Sequence, residues 1–116
     1  MSRATGTWGE AQAAAYLRKN GYQLVAHSYH CRFGEIDLIA QKGKMLCFVE
    51  VKTRSNLTYG LPRDYVTAAK QEKLRKTAAF YLSEKELDCT VRFDVAEVYA
   101  GETGILRVEY LENAFE

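Results

Sequence analysis

The chain has 116 residues, 47% of them hydrophobic and 27% charged, with a formal net charge of +1. That length suits one hydrophobic core and not two, so a single domain over residues 1–116 is expected. No apolar run approaches a membrane helix, the N-terminus has no apolar signal core, and the three cysteines (Cys31, Cys47, Cys89) are odd in number without CxxC spacing; a membrane span, a disulfide framework and a zinc knuckle are all disfavoured, and the cytoplasm is the expected compartment.

Residues 7–19 read as a helix that stops at Asn20-Gly21, a good C-terminal signal. Glu10, Ala13, Ala14 and Leu17 share one small apolar face, which should meet a sheet. Glu10 lies in the middle of that face. Either it closes a capping box, because Thr7-Trp8-Gly9-Glu10 fits S/T-x-x-E, or it must find a partner, because an unpaired buried charge costs several kcal/mol. Residues 22–30 read as a first strand. His27, His30 and Cys31 at its end have no second ligand cluster to close a tetrahedral metal site.

Residues 33–41 and 45–53 read as two strands joined by the tight Lys42-Gly43-Lys44 turn. In the first, Ile36, Leu38 and Ala40 point one way and Glu35, Asp37 and Ile39 the other. In the second, Leu46, Phe48, Glu50 and Lys52 share a face opposite Cys47, Val49 and Val51. Both faces begin apolar, as in a buried central strand, yet one ends in a carboxylate and a lysine. The plain reading is a strand-end pair leaving the core. The turn, however, places Asp37 opposite position 49 or 50, so Asp37 and Glu50 can lie within reach of one ion. Two carboxylates this close repel unless a proton or cation sits between them. A hard divalent ion, most naturally Mg²⁺ with Mn²⁺ as a substitute, satisfies both.

Residues 54–63, with Pro62, read as a loop and 65–84 as a long amphipathic helix. Val66, Ala69, Leu74, Thr77, Ala78 and Tyr81 form its inner stripe, with Lys70 inside the stripe and Lys73 at its border. Such lysines can snorkel out of a core, or they can present cations to a phosphate. Residues 90–99 and 105–111 read as two more strands around the Gly101–Gly104 turn. Asp94 is expected to serve as a structural partner for an arginine rather than as part of a site. The apolar tail of Tyr110, Leu111 and Phe115 packs on the core or on a second subunit. The order α-β-β-β-α-β-β gives a mixed α/β fold with helices packed on a mixed sheet.

Charge is uneven along the chain. Residues 42–76 hold nine Lys/Arg against three Asp/Glu, a net of +6, and residues 77–116 hold three against nine, a net of −6. A basic segment within a neutral total is compatible with a polyanion bound on one face, or with charges scattered over a solvated surface.

Asp37 followed by Glu50-Val51-Lys52 at the end of an apolar strand resembles the D…(D/E)-x-K signature of the PD-(D/E)XK, restriction-endonuclease-like nucleases. A longer match is more specific. Gly9-Glu10 with Ala13-Ala14-Ala15, Arg32 to Ala40, Phe48 to Arg54, Val66 to Leu74 and Arg92-Phe93-Asp94-Val95 together resemble the YraN family of small bacterial proteins. Ile36 stands where the strict motif has proline.

The resemblance implies an αβββαβ core and a set of roles. Asp37 and Glu50 would be metal-binding carboxylates, joined by Glu10 directly or through water and by the carbonyl of Val51. Lys52 would position or activate the attacking water. An electrostatic role is expected for it rather than that of a base, since two carboxylates beside it favour the cation. Arg54, Lys70, Lys73 and Arg32 are the expected phosphate contacts. The expected activity is metal-dependent hydrolysis of DNA phosphodiester bonds, with branched or damaged DNA as the suggested substrate. Two alternatives remain: a nucleic-acid-binding module with little or no turnover, and an interaction protein in which Asp37, Glu50 and Lys52 form a structural ion network. A domain this small can need a homodimer or a protein partner to hold its substrate.

Overall fold

Residues 3–54, 66–101 and 104–116 are described by a computed structural model, with side chains from Trp8 in the first helix and from Arg107 in the last strand. The order is α1 (Arg3–Lys19), β1 (Gln23–Cys31), β2 (Gly34–Lys42), β3 (Met45–Arg54), α2 (Ala68–Glu84), β4 (Thr90–Gly101) and β5 (Gly104–Phe115). The sheet runs β1-β2-β3-β4-β5. Every neighbouring pair is antiparallel except β3 and β4, which run parallel. A parallel pair needs a crossover, and the segment containing α2 supplies it. The mixed sheet and the element order agree with the sequence reading and with the αβββαβ core that the resemblance implies. The expected loop at 54–63 with Pro62 lies, beyond Arg54, outside the described residues.

Gly43, at φ +61, makes the turn that sets the central register. Lys42 faces Met45, and the pairing runs up to Leu38 opposite Val49. The sheet is covered on both sides. On one face α1 lays Ala13, Ala14 and Leu17 against Leu38, Ala40, Cys47, Val49, Val51, Ala96 and Val98. On the other, α2 and Val66 bury Leu74, Ala78 and Tyr81 against Ile39, Leu46, Phe48, Phe93 and Val95. The edge strands are irregular. A register shift interrupts β1 between Leu24 and Ala26, and Asn113 in β5 takes φ +53.

Four expectations need correction. The first helix begins at Arg3, so Thr7-x-x-Glu10 lies inside it; there the i→i−4 ladder already occupies the backbone N–H groups a capping box would serve. Ile36 belongs to the α2-side core, not with Leu38 and Ala40, because strict alternation holds only while the strand stays in its ladder, and β2–β3 pairing stops at Leu38. Ala69 is exposed, because α2 starts at Ala68, capped by the Thr67 hydroxyl accepting from Lys70 N, and its first turn stands clear of the sheet. Finally, β5 runs on to Phe115, whose ring stacks on Phe93 with centroids 5.0 Å apart. The apolar tail thus packs on the chain's own core.

Gly9 of α1 lies close against β3. A Cβ built there would stand 1.9 Å from Thr53 Oγ1 and 3.2 Å from Thr53 Cβ. Helix propensity alone favours Gly9→Ala by about 1 kcal/mol. Overpacking against a strand opposes it by about 1–3 kcal/mol. The clash is expected to win, so Gly9→Ala should lower stability by about 1 kcal/mol in urea unfolding; a gain in stability would mean the helix stands further from β3.

Candidate active site

Where β2 leaves β3, a side chain takes over from the backbone. Beyond Leu38 the ladder ends, and Asp37 Oδ2 accepts the Val51 N–H at 2.8 Å. The carboxylate is held in line with the strand without a neighbouring backbone carbonyl. Glu50 precedes Val51 and faces α2, following Leu46 and Phe48 along that side of β3. Its side chain is 5% exposed. Two lysines converge on one of its oxygens: Lys70 Nζ stands 2.7 Å from Glu50 Oε2 and Lys52 Nζ 3.6 Å from it. Lys70 therefore does not snorkel away from the interior; it turns its ammonium to a buried carboxylate at the mouth of the α2-side core.

Burial and the facing charge of Glu50 push the Asp37 carboxyl up to about 8, outweighing the Val51 N–H that stabilises its anion. A hydrogen bond to Glu50 and the charge of Glu10 act in the same direction. Burial pulls Lys70 down, but the bond and charge of Glu50, with Asp37 and Glu35 behind it, hold it above its ordinary value. Near neutral pH Asp37 thus keeps a proton that a bound cation would displace.

This proton has a measurable effect in the metal-free protein. Below pH 3.8 the Asp37 carboxyl is protonated in folded and unfolded chains alike. Between there and about 8 the unfolded chain has released the proton and the folded chain retains it. Stability contributed by the group is therefore present in acid and is lost as pH rises, by up to about 1.4 kcal/mol per unit. Thermal unfolding in EDTA is expected to carry this downward component between pH 5 and about 8, and the component should vanish in Asp37→Asn.

A second charged pair extends the same face of the sheet. In the parallel register Lys52 stands beside Glu97 of β4. Glu97 is fully buried, and its Oε1 accepts from Arg54 Nε at 2.5 Å. Among the described residues its other oxygen has no hydrogen-bond partner. Burial raises the Glu97 carboxyl, opposed by the bond to Arg54 and by the charges of Arg54 and Lys52. The sequence reading passed over Glu97. The available signal was a carboxylate two residues after Val95 on an otherwise apolar strand face.

The other expected residues lie further out. Glu10 is on α1, across the sheet from α2; it accepts from Ser28 Oγ at 3.3 Å and lines, with Ser28, a groove of about 560 Å³ beside β1. It reaches Asp37 through its charge rather than by contact. Lys73 is exposed on α2, and Arg32 lies at the tip of the β1–β2 hairpin. His30 pairs with Glu35 at 2.8 Å. Among the described residues no three His, Cys, Asp or Glu side chains are clustered closely enough to hold a metal by themselves. The donor set nonetheless suits Mg²⁺, which keeps several waters and is bound through one or two carboxylates. The raised Asp37 carboxyl is what such a ligand shows without its ion.

Asp94 lies apart from this cluster, on the α1 side. It is 1% exposed and accepts from Arg92 Nε at 2.8 Å, Arg92 Nη2 at 2.9 Å, Tyr110 OH at 2.6 Å and Asn113 N at 2.8 Å. Every lone pair has a donor, so it is a structural anchor for β5, as its arginine-partner reading held. Nearby, burial and the Asp94 charge push the Cys47 thiol up to about 12, which leaves it unreactive.

Comparison with known proteins agrees on one family. Residues 9–98 match the model of the uncharacterised protein family UPF0102. A UPF0102 protein of Symbiobacterium thermophilum is 48% identical, the match covering 99% of this chain and 98% of that protein. One from Alkaliphilus metalliredigens is 43% identical over 99% and 100%, and one from Syntrophus aciditrophicus 47% over 97% and 88%. Among solved structures, Pyrococcus furiosus SfsA in complex with Ca²⁺ aligns with a TM-score of 0.38 at 15% identity, covering 95% of this chain and 63% of that one. No helix among the described residues is long and apolar enough to cross a membrane. With nearly full-length relatives at 38–48% identity and a family match spanning Gly9 to Val98, the chain belongs to the UPF0102 family, the one its sequence resembles under the name YraN.

Proposed function

We propose that this protein is a metal-dependent endonuclease that hydrolyses DNA phosphodiester bonds. One observation carries the reading: Glu50, buried at the end of β3, takes both Lys52 and Lys70 on one oxygen while it faces the carboxyl of Asp37 on the adjacent strand, which its charge and burial raise. A structural ion pair needs one carboxylate and one cation. Both lysines stand on Glu50, so the repulsion at Asp37 is left for a further cation to relieve.

Asp37, Glu50 and the carbonyl of Val51 would hold Mg²⁺ or Mn²⁺, with Glu10 contributing through water. The ion would supply Lewis-acid stabilisation of the phosphate's charge and a more acidic water. The chain's own groups do the rest. The Val51 N–H fixes the orientation of Asp37. Lys70 holds Glu50 until a phosphate arrives to take its ammonium. Lys52 brings positive charge to the place where the transition state gains negative charge. Glu97 and Arg54 pack beside Lys52 and limit its swing. The reading places the protein in the cytoplasm with its substrate.

A second reading, a nucleic-acid-binding module with little turnover, is favoured by one contact. Lys70 at 2.7 Å already neutralises Glu50 and would compete with an ion for it.

The test is cleavage of labelled duplex, single-stranded, flap and four-way-junction DNA with Mg²⁺ or Mn²⁺, with Lys52→Ala protein prepared in parallel. Wild type is expected to cut at least one substrate, and Lys52→Ala to cut it about 100-fold or more slowly, the scale of losing one preorganised charge at a transition state. No cleavage of any substrate with either metal would favour the binding module. Equal cleavage by both proteins would point to a contaminating nuclease.

A further inference from the structure

Lys70 begins a row of cations that leads away from the site. At 3.6 residues per turn, Lys73, Lys76 and Phe80 fall on one flank of α2, beside its buried line of Leu74, Thr77 and Tyr81. That flank faces the β1–β2 hairpin. Tyr29 packs edge-on to Tyr81 at 5.0 Å, and Phe33 at the hairpin tip packs on Phe80 with centroids 5.8 Å apart. The opposite flank faces β5, where Arg75 lies over Phe115. Asp37 is on β2, so the lysine row and the hairpin tip lie on its side of the helix.

The tip carries a built feature. Arg32 holds its guanidinium 5.0 Å from the Phe33 ring centroid and 5.8 Å from that of Phe80. Among the described residues, Phe33 is one of the few large apolar side chains left exposed, at 37%. Among the described residues, neither Arg32 nor Lys73 nor Lys76 has a carboxylate partner. The acidic side chains near this flank have other partners: Glu35 pairs with His30, Glu72 with Arg75, and Glu84 accepts from Tyr29 OH. Uncompensated cations in a row, ending in an aromatic–guanidinium stack, match the chemistry of a phosphate chain that ends in an exposed base.

We infer that this flank binds an unpaired strand of nucleic acid, with Lys70, Lys73 and Lys76 on its phosphates and a base stacked on the Arg32–Phe33–Phe80 platform. The inference rests on the nucleic-acid reading of the site and names its substrate class. Ten residues of helix separate Lys70 from Phe80, about 15 Å, a span of a few nucleotides. The strand must be unpaired because a duplex already buries the faces of its bases. The lysines would serve either form, but the platform only helps a base with a free face.

Binding is measured without turnover, by fluorescence anisotropy of a labelled oligothymidine and of a labelled hairpin duplex in EDTA. Wild type is expected to prefer the single strand. Phe33→Ala and Arg32→Ala should weaken single-strand binding about tenfold and duplex binding little, the scale of one stacked base. Phe33→Leu keeps the apolar contact with Phe80 but lacks a π face, so its loss should match that of Phe33→Ala; this separates stacking from folding. Lys73→Ala should reduce the salt slope of binding by about one charge for both probes. If wild type binds the oligothymidine but the Phe33 and Arg32 variants bind it as tightly, the platform is wrong and the nuclease reading stands. If wild type binds neither probe at low salt, the nucleic-acid reading of the site falls with the inference.

Discussion

Replacing Asp37 by asparagine is expected to abolish cleavage while making the metal-free protein more stable. The amide keeps an oxygen for the Val51 N–H at 2.8 Å and offers Glu50 a donor in place of the Asp37 carboxyl. It removes the anion that burial and Glu50 disfavour, so the melting temperature in EDTA at pH 8 should rise. With one of two carboxylate ligands gone, an ion's several kcal/mol of transition-state stabilisation is lost, a fall in rate of about a thousandfold or more. Added Mg²⁺ should raise the melting temperature of wild type and leave that of Asp37→Asn unmoved. The two readouts separate the hypotheses. A merely structural ion network would lose stability with Asp37→Asn and show no response to Mg²⁺ in either protein.

The largest loss of stability is expected at Asp94, beside the candidate site in the sheet but on its opposite face. Asp94→Ala would strip four hydrogen bonds from a fully buried group. It would leave Arg92, with its remaining contacts to Tyr22 OH at 2.7 Å and Glu112 at 3.7 Å, largely uncompensated. Breaking a buried pair by removing one partner costs about 3–5 kcal/mol. Chemical denaturation should show a loss of that size. Asp94→Asn, which keeps an acceptor for Tyr110 or Asn113, should lose less. If Asp94→Ala unfolds within about 1 kcal/mol of wild type, β5 is anchored by its packing alone.

Much of the site was legible because it depends on local geometry. The Gly43 turn fixes which residues of β2 and β3 face each other, and that alone brings Asp37 abreast of Glu50. Helical spacing marks Lys70 as a lysine on an inner face, and the structure supplies the partner that such a lysine needs. Alternation also separates Glu50 from Val49 and Val51. What was not legible depends on where strands stop or on distant pairing. Ile36 was misplaced because alternation assumes an unbroken ladder. Glu97 was passed over because only the parallel register with β3 sets it beside Lys52, and no local turn encodes that register. Asp94, the other acid of β4, was read as an arginine's partner, and it is one: it faces α1 and anchors β5.

The parallel pairing has a bearing on when the site can exist. The other three strand pairs join neighbours in sequence, whereas each residue of β3 meets a β4 partner 45 positions further on, from Met45 with Thr90 to Arg54 with Tyr99. Contacts that close so long a loop form late, after hairpins and helices. Lys52 meets Glu97 only once that loop has closed. A nascent or partly unfolded chain can hold all three hairpins and still lack Glu97 beside Lys52, so the charge cluster is completed with the last step of folding.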